Sequence, residues 1–284
     1  MTDPLRPPHP VLPPSARRPG AAAVLDEHAS AHDTDLESYA WLAGVQPYRR
    51  PGPKLPWTGW TLLPRARAGR LKRRRLDPDE AVALDALIGS GLLTDDGRLS
   101  ETGRPLAETL ATIDARLRVD ATAEGRQHGM EILMVRTTAV VLTTSPPPTP
   151  PDDVQDLSLL VLDTVEVEWV PAAIASWTGT APAWTFAVSP TTIDRALFEQ
   201  RVDGRPVPLP PQADDHLAAV WAEPWCLWGL GSADSEQALC VLRAGARGSY
   251  QVIATPGAAT VELRPLPSYT LWHALLQIVQ AVVG

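Results

Sequence analysis

The chain carries what reads as the same unit twice, and this constrains its fold more than any other feature. Asp96-Gly97-Arg98 returns as Asp203-Gly204-Arg205, and Leu110-Ala111 returns as Leu217-Ala218, both 107 residues later. Thr164-Val165-Glu166 with Pro171 returns as Thr260-Val261-Glu262 with Pro267, 96 residues later. Each stretch runs in one order: an Asp-Gly-Arg turn, a helix, several strands, a Thr-Val-Glu strand ending near proline, and an apolar helix. No single identity is informative, but a shared order at near-constant spacing is. Two copies that pack pairwise build one core about an approximate two-fold axis. Such a core argues against a single asymmetric catalytic pocket. The expected fold is therefore mixed α/β (α+β), internally duplicated and quasi-two-fold, with a central, mostly antiparallel sheet and helices packed on it.

The 30 prolines are clustered. Residues 1–34 read as a disordered Pro-rich tail, and 35–75 as an irregular segment anchored by Trp41, Trp57 and Trp60. The first repeat spans 76–178 and contains a Pro-rich loop at 146–151; the second spans 179–284. The net charge of −8 is unevenly spread. Seven basic residues fall at Arg65, Arg67, Arg70, Lys72, Arg73, Arg74 and Arg75, with no acid among them. The body that remains is strongly acidic, which suits nucleic acid poorly, so the basic run reads first as a solvated connector. The N-terminus lacks a secretory leader pattern and no apolar run reaches a membrane-spanning length, so a cytoplasmic protein without membrane insertion is expected.

One helix start is explicit. Asp77 is placed to cap, Pro78 suits the first helical position, and Asp79 and Glu80 suit the positive end of the helix dipole, with Gly91 as the stop. A second helix follows from about Ser100. Strands are predicted at 116–123, 130–135, 138–143 and 164–170, and Pro171 opens a short helix carrying Ile174 and Trp177. The second repeat is predicted as helices at 191–201 and 212–222, strands at 225–230, 238–242, 250–254 and 260–264, and a closing helix at 268–282.

Chemistry-bearing motifs are scarce. There is no phosphate-binding glycine loop, nucleophile elbow or Cys-x-x-Cys pair. His28 and His32 have metal-ligand spacing but sit in the tail, and Glu166 and Glu168 read as the wet face of an amphipathic strand. Cys226 reads as a small buried apolar residue. No catalytic residue, cofactor or metal is expected. The segment from Leu92 to Gly103 also resembles the end of a winged helix, which keeps a DNA-binding regulator as the alternative function.

Three features together resemble the EspG family, cytosolic chaperones of type VII (ESX) secretion in actinobacteria. They are the helix ending Gly91-Leu92-Leu93, the turn Asp96-Gly97-Arg98-Leu99, and the closing Val261-Glu262-Leu263-Arg264-Pro265-Leu266-Pro267 before an apolar helix. The resemblance covers residues 76–284. It implies a non-catalytic chaperone or adaptor that keeps helical secretion substrates, PE/PPE-like or WXG100-like, soluble and delivers them for export. A surface for such partners must be apolar, and two elements carry more apolar residues than one core requires. They supply the candidate partner-binding residues Trp225, Leu227, Trp228, Tyr269, Trp272 and Leu276. Trp225 and Trp228 lie on opposite faces of one strand.

Overall fold

The computed structural model describes residues 52–147, 159–180, 189–232 and 239–283. Within them one sheet of ten strands runs through the molecule: β1 Lys54–Pro56, β2 Ala115–Ala123, β3 Arg126–Val135, β4 Thr138–Thr143, β5 Leu159–Glu166, β6 Thr191–Asp194, β7 Trp225–Ser232, β8 Leu239–Ala244, β9 Ser249–Ile253 and β10 Thr260–Pro265. Their order across the sheet is β1-β5-β4-β3-β2-β7-β8-β9-β10-β6. Every described pairing is antiparallel. Outward from the β2·β7 seam, each side adds three strands in chain order and then finishes on the strand that comes first in its own half. The Pro-rich tail with His28 and His32, and most of the 146–151 loop, lie outside the described residues.

Seven described helices cover the sheet. They are α1 Trp57–Arg65, α2 Pro78–Gly89, α3 Gly103–Ala111, α4 Val170–Thr178, α5 Arg195–Val202, α6 Asp215–Ala222 and α7 Ser268–Val283. Side chains alternate along a strand, so the register decides which helix covers which face. On one face Leu117, Val119, Met130, Ile132, Val141, Trp228, Leu230 and Val241 are buried under α4 and α7. On the other, Leu133, Val140 and Leu142 are buried under α1–α3 at one end, and Trp225, Leu242, Tyr250 and Leu263 under α5 and α6 at the other.

The helix start at Asp77 forms as the sequence dictates. The Asp77 carboxylate accepts the Glu80 N–H at 2.8 Å, and the Glu80 carboxylate accepts the Asp77 N–H at 3.3 Å, a reciprocal cap. Other boundaries shift. Residues 191–194 form strand β6, paired with β10, and the helix begins only at Arg195, where the Asp194 carboxylate accepts the Leu197 N–H. The β-branched run Thr191-Thr192-Ile193 suits a strand better than a helix turn. Similarly β5 stops at Glu166, and Val167–Trp169 form a 3₁₀ turn leading into α4, with Pro171 in its first turn. The stretch read as irregular contributes β1 and α1 to the first half.

The halves also meet at two turns. Gly125 (φ +73°) and Gly204 (φ +73°) face each other: a Cβ on Gly125 would lie 2.5 Å from the Asp203 carbonyl oxygen, and one on Gly204 would lie 2.7 Å from Glu124 carbon. Only glycine fits both the left-handed backbone and the close approach. Gly204→Ala is therefore expected to lower stability by about 1–3 kcal/mol, read as a shifted denaturant midpoint at unchanged slope.

Buried beside α4 is a small polar cluster. His128 Nδ1 lies 2.8 Å from the Ser145 carbonyl oxygen, and Trp177 Nε1 donates to the Thr144 carbonyl at 3.2 Å. Burial pushes the His128 imidazole below its ordinary value, with the Ser145 carbonyl opposing and Arg126 adding a smaller push down. A folded state that resists the proton loses stability once the unfolded chain can take it up. The contribution of His128 should thus be flat above about pH 6.5 and destabilising as pH falls below it. The difference in denaturation midpoint between wild type and His128→Asn, followed from pH 8 to about pH 5, should change only in that lower window.

Candidate functional site

The predicted partner residues separate into core and surface. Trp228 is 1% exposed under α4 and α7, and Trp225 is 4% exposed under α5 and α6. Trp225 donates from Nε1 to the Val220 carbonyl at 2.9 Å, meets Trp221 edge-on with centroids 5.1 Å apart, and has the Arg201 guanidinium 5.6 Å from its ring. Neither tryptophan can meet a partner. The expectation that these two tryptophans face a partner is corrected: both are core, because Trp228 lies under α4 and α7 on one face and Trp225 under α5 and α6 on the other. Leu227 is half-buried at the border of the α5–α6 cluster. Tyr269 and Trp272 do stand free on α7, 73% and 39% exposed. Leu276 is half-buried and lines a groove of about 400 Å³ with Val167, Glu168, Pro171, Val279, Gln280 and Val283.

The surface that sequence reasoning missed is the middle of the sheet. Between the α1–α3 layer and the α5–α6 layer, none of the described helices lies over one face of β2. Arg116, Arg118 and Asp120 are exposed there and Thr122 is half-buried, while the alternate residues Leu117, Val119, Ala121 and Ala123 are core. Register extends this open strip sideways. Asp120 sits between Gly129 of β3 and Gly229 of β7, Arg118 between Glu131 and Gly231, and Thr122 between Gln127 and Leu227. Gly229 is paired in turn with Cys240 of β8. The result is a saddle with glycines and small residues in its floor and helices on two sides. The signal was present in the alternation of 115–123, whose polar residues mark a solvent-facing strand face.

Local electrostatics hold the saddle's side chains in place. The Arg118 guanidinium donates to both Asp120 carboxylate oxygens at 2.8–2.9 Å, and this holds its pKa above the usual value. Gln127 donates across the strands to Thr122 Oγ1 at 2.9 Å. Burial pushes the half-buried Glu131 carboxyl up, while Arg118 and Arg116 pull it down. Positive and negative groups alternate, so the saddle offers polar contacts without a net field.

The other motifs resolve simply. Cys226 and Cys240 are free; burial pushes the Cys226 thiol up to about 12, so it is an inert core residue. Glu166 and Glu168 are both exposed, Glu168 on the 3₁₀ turn rather than the strand. In the basic run, Arg65 pairs with Glu80 and Arg73 with Asp85, at 2.6 Å for the latter, so two of the seven cations lie against α2. The winged-helix likeness reduces to a single bridge between Leu93 and Leu99, and the outward face of α2 presents Asp79 and Asp85, a poor match to a phosphate backbone. Among the described residues no three His, Cys, Asp or Glu side chains converge as metal ligands, and no helix is long and apolar enough to cross a membrane.

No family model matches the sequence, and no curated protein does. Among solved structures, the chain is similar to a chain of the complex of the Mycobacterium tuberculosis type VII secretion system chaperone EspG5 with a PE25-PPE41 dimer. The two share 10% identity over 81% of this chain and 96% of that one, with a TM-score of 0.43. A likeness of that degree assigns no function.

The burial of Trp228 makes a direct prediction. Its Nε1 is buried without a hydrogen-bond partner, so its contribution is packing and not polar contact. Trp228→Ala should cost about 3–5 kcal/mol in stability, whereas Trp228→Phe, which removes the unpaired donor and keeps a ring, should cost much less. Chemical denaturation of both variants checks the ranking.

Proposed function

We propose that this chain is a non-catalytic cytoplasmic chaperone or adaptor for helical secretion substrates of the PE/PPE or WXG100 type, presenting them to an export machine. The observation that carries this reading is the uncovered central strand β2 between two helix layers. A sheet normally buries its apolar faces, and here one face of the middle strand is written in Arg116, Arg118 and Asp120 to live in water. The resulting concavity has helices as walls and glycines in its floor, a shape that admits the end of a helical hairpin. Leu227 supplies apolar contact at its edge, and the alternating charges supply polar contacts that discriminate among substrates. The sequence resemblance to EspG chaperones supports the same reading from a separate direction.

A test follows from Gly129. A Cβ built there meets nothing within 4 Å, so a large side chain can enter the saddle without disturbing the strand. Gly129→Arg should abolish capture of a co-expressed PE/PPE-like helical-hairpin pair, while leaving the thermal unfolding midpoint within a few degrees of wild type. Unchanged capture by a folded Gly129→Arg protein would remove the saddle as the docking site. Salt-sensitive, sequence-specific retardation of genomic DNA fragments by the wild-type protein would instead favour a regulator.

A further inference from the structure

We propose that the outer face of α7 is a self-association surface on which two copies of this chain pack their closing helices antiparallel. The helix contains no Asp, Glu, Lys or Arg across Ser268–Val283. One stripe, Leu271, Leu275 and Val279, is buried in the core. A second stripe, Tyr269, Trp272, Leu276, Val279 and Val283, follows alternating steps of three and four residues, the spacing of a helix–helix seam. Only Val279 of that stripe is buried, while Tyr269, Trp272 and Val283 are 73%, 39% and 47% exposed. An apolar seam of this spacing fits a second helix.

The identity of that helix is argued from three observations. First, the stripe complements itself. In an antiparallel pair centred on Leu276, Leu276 meets Leu276, Tyr269 meets the second copy's Val283, and Trp272 meets the second copy's Gln280. The bulky aromatic end of each helix therefore falls on the groove formed by Leu276, Gln280, Val283 and Pro171 at the other's far end. An isologous interface demands this reciprocity. Second, charge permits it. A chain of net charge −8 repels its own kind, and an uncharged helix is where two such bodies approach with least penalty. Glu168, on the groove wall, is then met by the exposed His273 of the second copy. Third, a membrane surface is disfavoured, because interfacial helices carry Lys or Arg on their polar face and this one carries none.

The size of the contact sets its strength. Sixteen residues make a helix about 24 Å long, and one such seam falls short of the roughly 1,600 Å² of a standard stable interface. The dimer is accordingly weak and concentration-dependent. It lies on the sheet face opposite the saddle, so it stands whether or not the saddle binds a substrate.

The experiment is sedimentation of the full chain from about 1 µM to about 100 µM, a range that brackets weak association. The weight-average mass of wild type should climb toward that of a dimer. Trp272→Glu, on an exposed position, should weaken association roughly tenfold or more with unchanged circular dichroism and thermal midpoint. Trp272→Glu combined with Gln280→Lys should restore it, because each new carboxylate then faces the other copy's new ammonium. Wild type that stays monomeric throughout, including one that binds lipid vesicles while monomeric, overturns the proposal. So does a Trp272→Glu dimer as tight as wild type, or a double variant that stays monomeric.

Discussion

Everything else in this structure depends on the antiparallel pairing of β2 with β7. Seven residue pairs, from Leu117 with Ser232 to Ala123 with Cys226, join strands more than a hundred residues apart in sequence. Under that ladder the inward residues of both strands, Leu117, Val119 and Ala121 with Trp228 and Leu230, form the middle of the apolar layer that α4 and α7 close. Pairing this distant closes a long loop, and it yields stability only after the entropy of that closure has been met. The turn contact between Glu124-Gly125 and Asp203-Gly204 caps one end of the same seam. It holds β2 in register where a slip by one residue would turn Arg116, Arg118 and Asp120 into the core.

The seam also explains why the saddle exists. Each half carries its helices on the saddle face away from the join, α1–α3 over β1 and β3–β5, α5 and α6 over β6–β10. Neither layer reaches β2, so its second face stays wet. On that face the Arg118–Asp120 pair is solvent-exposed and contributes little to stability. It fixes the two side chains against each other on the exposed strand face.

Much of this was legible in the sequence, for reasons that differ by element. β2 alternates because one face is core and the other is open, so period-two reading found it to within a residue. The cap at Asp77 is local chemistry and forms as written, and both Asp-Gly-Arg turns place their glycine at positive φ, +77° and +73°. α1 was not legible: Trp57-Thr58-Gly59-Trp60 and Pro64 are weak helix formers, and what makes them helical is tertiary burial of Trp60, Leu62 and Leu63 against α2 and α3. The burial of Trp225 and Trp228 was not legible for a related reason. Trp228 and Trp272 both sit in apolar elements with surplus apolar faces, and only the positions of helices contributed by distant sequence decide that one is core and the other exposed.

A sheet of this width must also deal with its edges, and how it does so bears on where partners can dock. The outermost of the described strands are the shortest, three residues in β1 and four in β6. β1 begins at an exposed lysine and ends in proline, which removes a donor from the ladder. β6 carries outward Thr192 and Asp194, and Asp194 is already engaged in capping α5. Short, charged, proline-blocked edges resist the addition of another strand. Association by strand addition is thereby discouraged at both ends, and a partner must use a face. Two faces are open for opposite physical reasons: the saddle because no helix covers a polar strand, and α7 because an apolar helix has more faces than the core beneath it can bury.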